Sequence, residues 1–226
     1  MLTKKELAKC IDASLLYPDV THAQLKKLCA SARKYRFHCV TINSANVAFV
    51  KKLLKGTNVC VNATIGYPTG AVSTDVKVFE TRQAIAEGAN EIDMVMNLGR
   101  FKQKDYGFVE KDIRAVVKAA KGRVVKVIIG TEYLTDAEII RAAKLVKKSG
   151  AHYVKNGTGY GKGATIHETK LMRKAVGLKF GVKAAGGIRT TAQALAHLKA
   201  GASHLGGTYA VEIVEGLNNL SSRKRK

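Results

Sequence analysis

The chain has no tryptophan, and its acidic residues are scarce: 17 Asp and Glu stand against 39 Lys and Arg, a net charge of +22 over 226 residues. No basic stripe is interleaved with aromatic residues and no nucleic-acid-binding motif occurs, so the charge does not mark a specific nucleic-acid reader. It implies a solvated basic surface, with non-specific, salt-sensitive attraction to polyanions. No apolar run approaches the length of a membrane span. The opening Met1-Leu2-Thr3-Lys4-Lys5-Glu6 lacks the apolar core of a secretion signal, which predicts a cytoplasmic protein. The four cysteines (Cys10, Cys29, Cys39, Cys60) include no C-x-x-C pair, and the six histidines show no H-x-x-x-H spacing. The expectation is reduced, mostly buried thiols and neither a disulfide frame nor a metal site.

What is present is alternation. Short β-like runs at 9–14, 37–42, 58–65, 91–96, 124–129, 151–155, 180–184 and 203–206 are each followed by a helical pattern, at 21–35, 45–55, 74–88, 104–121, 135–149, 165–176, 190–200 and 209–217. Thr135-Asp136-Ala137-Glu138 has the form of a capped helix start, and Gly56, Gly88, Gly150 and Gly201 stand where left-handed C-caps are expected. Strict β–α alternation implies a parallel sheet, and eight units can close into a single (β/α)8 TIM barrel. An open, doubly wound sheet is the alternative, but no G-x-G-x-x-G follows the first run. The expected organisation is one catalytic domain over 1–226, with a basic tail from about 218 to 226.

In such barrels the chemistry sits at the C-terminal ends of strands and in the loops that follow. The fourth run, Glu91-Ile92-Asp93-Met94-Val95-Met96, carries Asp93 within apolar surroundings, where an unpaired charge is costly. The sixth and seventh each bring one lysine before a glycine-rich turn: Lys155 ahead of Asn156-Gly157-Thr158-Gly159, and Lys183 ahead of Ala184-Ala185-Gly186-Gly187. A structural ion pair would account for Asp93 equally well, but it too requires a lysine nearby. Two ammonium groups on adjacent strands depress each other's pKa, and burial adds to this. An amine so depressed is a nucleophile toward carbonyls. Gly157-Thr158-Gly159, Gly186-Gly187 and Gly206-Gly207-Thr208 follow strands six to eight, where backbone N–H groups and helix N-termini suit a phosphate.

From Ile11-Asp12 to about Leu217 these motifs resemble the 2-deoxyribose-5-phosphate aldolases, a class I aldolase family. The likeness rests on Thr64-Ile65-Gly66-Tyr67-Pro68-Thr69-Gly70-Ala71, on Gly88-Ala89-Asn90-Glu91-Ile92-Asp93-Met94-Val95-Met96-Asn97, on Val154-Lys155 with Thr158-Gly159, and on Val182-Lys183-Ala184-Ala185-Gly186-Gly187-Ile188-Arg189-Thr190. The resemblance implies a Schiff base on Lys155, a depressed Lys155 pKa and proton transfer from Lys183, and a proton relay through Asp93. It implies a phosphorylated sugar or aldehyde as substrate, with Asp12, Thr158, Gly159, Gly186, Gly187, Gly206, Gly207 and Thr208 beside it. It implies no metal and no organic cofactor, and it is compatible with a homo-oligomer.

The chain departs from the family pattern at Ala13-Ser14, Thr41, Gly130-Thr131-Glu132, Asn156-Gly157 and Gly207-Thr208-Tyr209. Asn156, Gly157 and Tyr209 predict a weakened hold on the 5-phosphate. Two further readings therefore stand beside the first: a diverged Schiff-base aldolase for a non-phosphorylated aldehyde or ketone, and a non-catalytic basic barrel that binds polyanions.

Overall fold

The structure is a computed structural model that describes residues 2–217; the expected basic tail at about 218–226 lies outside the described residues. Its strands are β1 (Ile11–Leu15), β2 (Cys39–Asn43), β3 (Cys60–Ile65), β4 (Glu91–Val95), β5 (Val124–Ile128), β6 (Tyr153–Lys155), β7 (Gly181–Ala185) and β8 (His204–Gly207). All pair in parallel in chain order, and β8 closes onto β1 with Asp12 opposite Gly206. This closure is the (β/α)8 barrel expected from the alternation, and it excludes the open sheet.

The helices outside the sheet are α1 (Lys4–Lys9), α2 (His22–Tyr35), α3 (Val47–Leu53), α4 (Thr74–Ala86), α5 (Leu98–Lys102), α6 (Tyr106–Ala119), α7 (Asp136–Lys148), α8 (Ile166–Val176), α9 (Thr191–Lys199) and α10 (Ala210–Glu215). The expected caps are present. Thr135 and Glu138 exchange side-chain and backbone bonds in a capping box at the start of α7. The four glycines expected at helix ends have φ between +76° and +110°.

Two α-helices were not expected. Helix α1 displaces the start of the first strand from 9 to Ile11, and α5 occupies the link after β4. At six and five residues both are too short to show a helical period. Each is fixed instead by its N-cap: Thr3 and Glu6 form a box on α1, and Asn97 accepts from the Arg100 N–H on α5.

The strands carry two different faces. Ile11, Ala13, Val40, Ile42, Val61, Ala63, Ile92, Met94, Val125, Val127, Val154, Val182, Ala184 and Leu205 belong to one continuous apolar core. The alternate residues, Asp12, Thr41, Asn62, Asp93, Lys126, Lys155 and Lys183, are equally buried and polar. Barrel interiors are ordinarily filled by Val, Ile and Leu. Here Lys126 on β5 reaches Asp12 on β1 across the barrel, so the polar set fills the lumen while the apolar core lies outside it.

Candidate active site

Strand register puts Lys155 directly beside Lys183, because the two are paired residues of β6 and β7. Asp93 reaches them from β4, and its Oδ2 accepts from both Lys155 Nζ and Lys183 Nζ at 2.8 Å. Its Oδ1 accepts from Asn62 Nδ2 at 2.8 Å, and the same amide donates to Thr41 Oγ1 at 3.0 Å. Lys183 is also paired with Asp12 Oδ2 at 2.6 Å. Asp12 Oδ2 in turn accepts from Lys126 Nζ at 2.9 Å, and Lys126 bridges on to Glu91. The result is one buried chain of alternating charges through the lumen.

That chain sets the protonation states. Burial pushes the Lys155 ammonium down, Asp93 pushes back, and Lys183 adds to the depression, leaving its pKa at about 8. About a tenth is therefore the free amine at pH 7, against far less than a hundredth for an ordinary lysine. Burial opposes ionisation of Asp93, yet Lys155, Lys183 and Lys126 hold it well below the usual carboxylate range. Lys126 is held strongly protonated: burial works against its charge, and Asp12 and Asp93 outweigh it.

Lys155 ends its strand and opens onto a cavity of about 170 Å³. Thr158, Gly159, Gly186, Gly187, Gly206, Gly207 and Thr208 line it together with Arg189 and Tyr209. Gly206 is needed for clearance, since a Cβ there would lie 3.0 Å from Lys183 Cε and 3.0 Å from Ala185 Cβ. Above the amine, the loop after β6 folds over the opening: Tyr160 donates to the Leu16 carbonyl at 2.9 Å, and Tyr67 donates to the Thr158 carbonyl at 2.9 Å. Tyr17 meets Tyr160 edge-on at 6.5 Å. The wall opposite the glycine turns is thus aromatic and the turn side is polar.

A depressed lysine amine, a second lysine and a carboxylate between them, at the mouth of a closed parallel barrel, is machinery for iminium chemistry. Residues 6–217 match the DeoC/LacD family aldolase. The chain belongs to this family. It is 50% identical over 217 residues to the deoxyribose-phosphate aldolase of Clostridium perfringens, covering 95% of this chain and 97% of that one. It is 49% identical over 219 residues to the deoxyribose-phosphate aldolase of Thermococcus gammatolerans, at 95% and 97% coverage. The tetrameric deoxyribose phosphate aldolase of Aeropyrum pernix superposes with a TM-score of 0.91 at 30% identity, over 97% of this chain and 94% of that one.

Within this aldolase scaffold several expectations need correction. Asp12 does not line the cavity: it is fully buried beneath it and holds Lys183 and Lys126 in place. Lys183 sits in the middle of β7 and not at its end, so it too is shut off from the cavity. Asn156 is no lost phosphate contact, because its amide bonds the Ala185 backbone, donating to the carbonyl at 3.0 Å and accepting the N–H at 2.8 Å. It clamps β6 to β7. Tyr209 lies under the Arg189 guanidinium at 5.5 Å from the ring centroid, which puts a cation at the polar end of the cavity. Only Cys29 and Cys39 are buried; Cys10 and Cys60 are partly exposed.

Lys126 went unread in the sequence. Its signal is the one that exposes Asp93, a charge inside an apolar strand (Val124-Val125-Lys126-Val127-Ile128). Its glycine turn at Gly130 lies four residues on, beyond Ile128 and Ile129, and lysine is common throughout the chain. Arg189 and the tyrosines at 17, 67 and 160 were also missed as cavity residues. Loops bring them in from four different crossings of the barrel.

Proposed function

We propose that the chain cleaves 2-deoxyribose 5-phosphate to acetaldehyde and glyceraldehyde 3-phosphate through a Schiff base on Lys155, and runs the reverse condensation. The observation that carries this reading is the cavity-facing amine of Lys155, with its pKa at about 8, bonded to the carboxylate it shares with Lys183. In the open-chain sugar the amine adds to C1, and loss of water leaves an iminium. A base then removes the C3 hydroxyl proton and the C2–C3 bond breaks. Its electron pair passes to the iminium nitrogen, giving an enamine and releasing glyceraldehyde 3-phosphate. Protonation of the enamine carbon and hydrolysis of the new iminium release acetaldehyde and restore the amine.

Lys183 and Asp93 do not reach the cavity themselves, so in this reading they pass protons through the Lys155 amine, to which Asp93 Oδ2 is bonded at 2.8 Å. The iminium supplies the electron sink, so the step calls for no organic cofactor. The 5-phosphate lies at the polar end, over Gly186, Gly187, Gly207 and Thr208, with Arg189 beside it. Each charge-assisted hydrogen bond retained there contributes about 1.5–3 kcal/mol. That is roughly ten- to a hundredfold in affinity for each bond.

The substrate test compares kcat/KM for deoxyribose 5-phosphate and for unphosphorylated deoxyribose. We expect the phosphate to be preferred by roughly a hundredfold or more from two such bonds. Equal rates would favour the diverged aldolase for non-phosphorylated aldehydes. Failure with both sugars, together with retention on heparin, would favour the non-catalytic polyanion binder. Within the single catalytic domain expected over 1–226, the described residues 2–217 carry the barrel and its site in this reading. The four free thiols suit a reducing compartment, and we place the protein in the cytoplasm on that ground. A homo-oligomer is proposed by analogy with the tetrameric relative.

A further inference from the structure

At the end of the barrel opposite Lys155, the first residues of three neighbouring strands face one another: Cys39 opens β2, Cys60 opens β3 and Glu91 opens β4. His38 immediately precedes Cys39. We propose that His38, Cys39, Cys60 and Glu91 bind a thiophilic divalent cation, zinc by its chemistry, and so tie β2, β3 and β4 together at the N-terminal end of the barrel. The catalytic steps above make no use of these groups as ligands.

The geometry supports a single ion. One ligand atom from each of the four side chains lies within 4.8 Å of all the others. Cys39 and Cys60 are directly paired in the β2–β3 register, so their side chains leave the sheet on the same face. His38 Nε2 is 3.0 Å from Glu91 Oε1, and Cys39 Sγ donates to Glu91 Oε2 at 3.3 Å. Tetrahedral zinc, with Zn–N and Zn–S lengths of roughly 2.0 and 2.3 Å, separates its ligand atoms by about 3.3–3.8 Å. The four side chains, now within 4.8 Å of one another, therefore need to draw in by no more than about 1–1.5 Å around an ion placed between them.

The donor types point the same way. Two sulfurs, an imidazole nitrogen and a carboxylate oxygen form a set that favours zinc over magnesium or calcium. Charge is conserved as well. Entry of a dication with release of both thiol protons leaves the local net charge unchanged, and binding is coupled to proton release. Glu91 is held from behind by Lys126, as ligating carboxylates commonly are by an outer partner. Cys39 and Glu91 are buried, whereas the His38 side chain is 28% exposed and gives the ion a way in.

A second, independent observation marks the same spot. His204 meets His38 edge-on at 4.4 Å, and both of its ring nitrogens are buried without a hydrogen-bond partner. Asp12 Oδ1 is likewise unpartnered. Asp12, His38 and His204 form an overlapping trio within the same 4.8 Å limit. Polar atoms left bare in a closed interior are costly, and an ion held by His38 places positive charge beside them.

The test uses the full chain, stripped with chelator under a thiol reductant, desalted, and then titrated with zinc or cobalt(II) at physiological salt. One equivalent of zinc should survive desalting and raise Tm. Cobalt should give a sulfur-to-metal charge-transfer band together with the intense visible bands of a tetrahedral site. In Cys39→Ser/Cys60→Ser the charge-transfer band should vanish and the zinc should be lost, while aldol cleavage persists. His38→Gln keeps both thiols and changes a side chain at the rim, so it decides the matter if the double variant does not fold. It should keep the charge-transfer band but bind at least about tenfold more weakly. No retained zinc in the wild type would overturn the proposal, as would undiminished zinc binding in either variant. Loss of zinc with intact cleavage leaves the aldolase reading standing, so the two fail separately.

Discussion

The two faces of the same eight strands are built on opposite principles. Outward, Ile92 and Met94 of β4 and Val125 and Val127 of β5 are buried against the helices in one apolar layer. Inward, their neighbours Glu91, Asp93 and Lys126 are just as buried and all charged. The outer face supplies stability through area removed from water, about 25 cal/mol per Å². The inner face contributes little net stability, because desolvation of buried ions offsets most of their attraction. What the inner face gains is a set of protonation states that water would not allow, among them a lysine with a pKa at about 8. The difference teaches that stability and reactivity are separated in this barrel by the two-residue period of a strand.

Substitutions of the inner-face residues around the Lys155 amine should therefore break catalysis, and matched ones on the outer face should not. The largest effect is expected from Lys155→Ala, which should bring cleavage to the uncatalysed background while the far-UV spectrum stays native. Next comes Lys183→Met. Loss of a proton-transfer partner should lower kcat by about 10²–10⁴. Lys183 is also the shared partner of Asp12 and Asp93. Breaking such a buried pair costs about 3–5 kcal/mol, so the variant should also be destabilised in urea. Removing a like charge should raise the Lys155 pKa, so what activity remains should shift to higher pH.

Lys126→Met sharpens the comparison, since it reaches no cavity yet leaves Asp12 and Glu91 short of a cation. A loss of about 3–5 kcal/mol is expected. Ile92→Val on the outward face should cost only about 0.5–1.5 kcal/mol and leave kcat/KM unchanged. A kinetic defect in Ile92→Val that matches the one in Lys183→Met would erase the distinction between the faces.

The pH profile of the wild type needs no substitution at all. Lys155 reacts only as the free amine. Its pKa is lowered in the folded protein, so the reactive form is gained as pH rises, is half-formed at about 8 and is nearly complete about one pH unit higher. Hence kcat/KM should fall roughly tenfold per pH unit below about 8 and level off above it. A rise continuing to pH 10 would mean an unperturbed lysine.

Much of this was legible in the sequence, and for a common reason. Asp93, Lys155 and Lys183 announce themselves as charges at positions where strand periodicity demands burial. The eight-fold alternation is long enough to fix the barrel. What escaped reading depends on direction or on distance along the chain. Asn156 looked like a substituted substrate contact, but its amide turns to the Ala185 backbone, and only the β6–β7 register reveals that. Helices α1 and α5 are set by a single cap each and leave no periodic trace. The His38, Cys39, Cys60 and Glu91 cluster has no local spacing to betray it, because three strands in parallel register assemble it.

The central claim is that the lumen prepares Lys155 alone, among the many lysines of this chain, to attack a carbonyl. The most direct measurement is borohydride reduction in the presence of acetaldehyde, followed by peptide mass mapping. The account predicts a single two-carbon adduct per chain, on Lys155, that is absent in Lys155→Ala. Adducts spread over surface lysines, or trapping of Lys183 in the wild type, would contradict it.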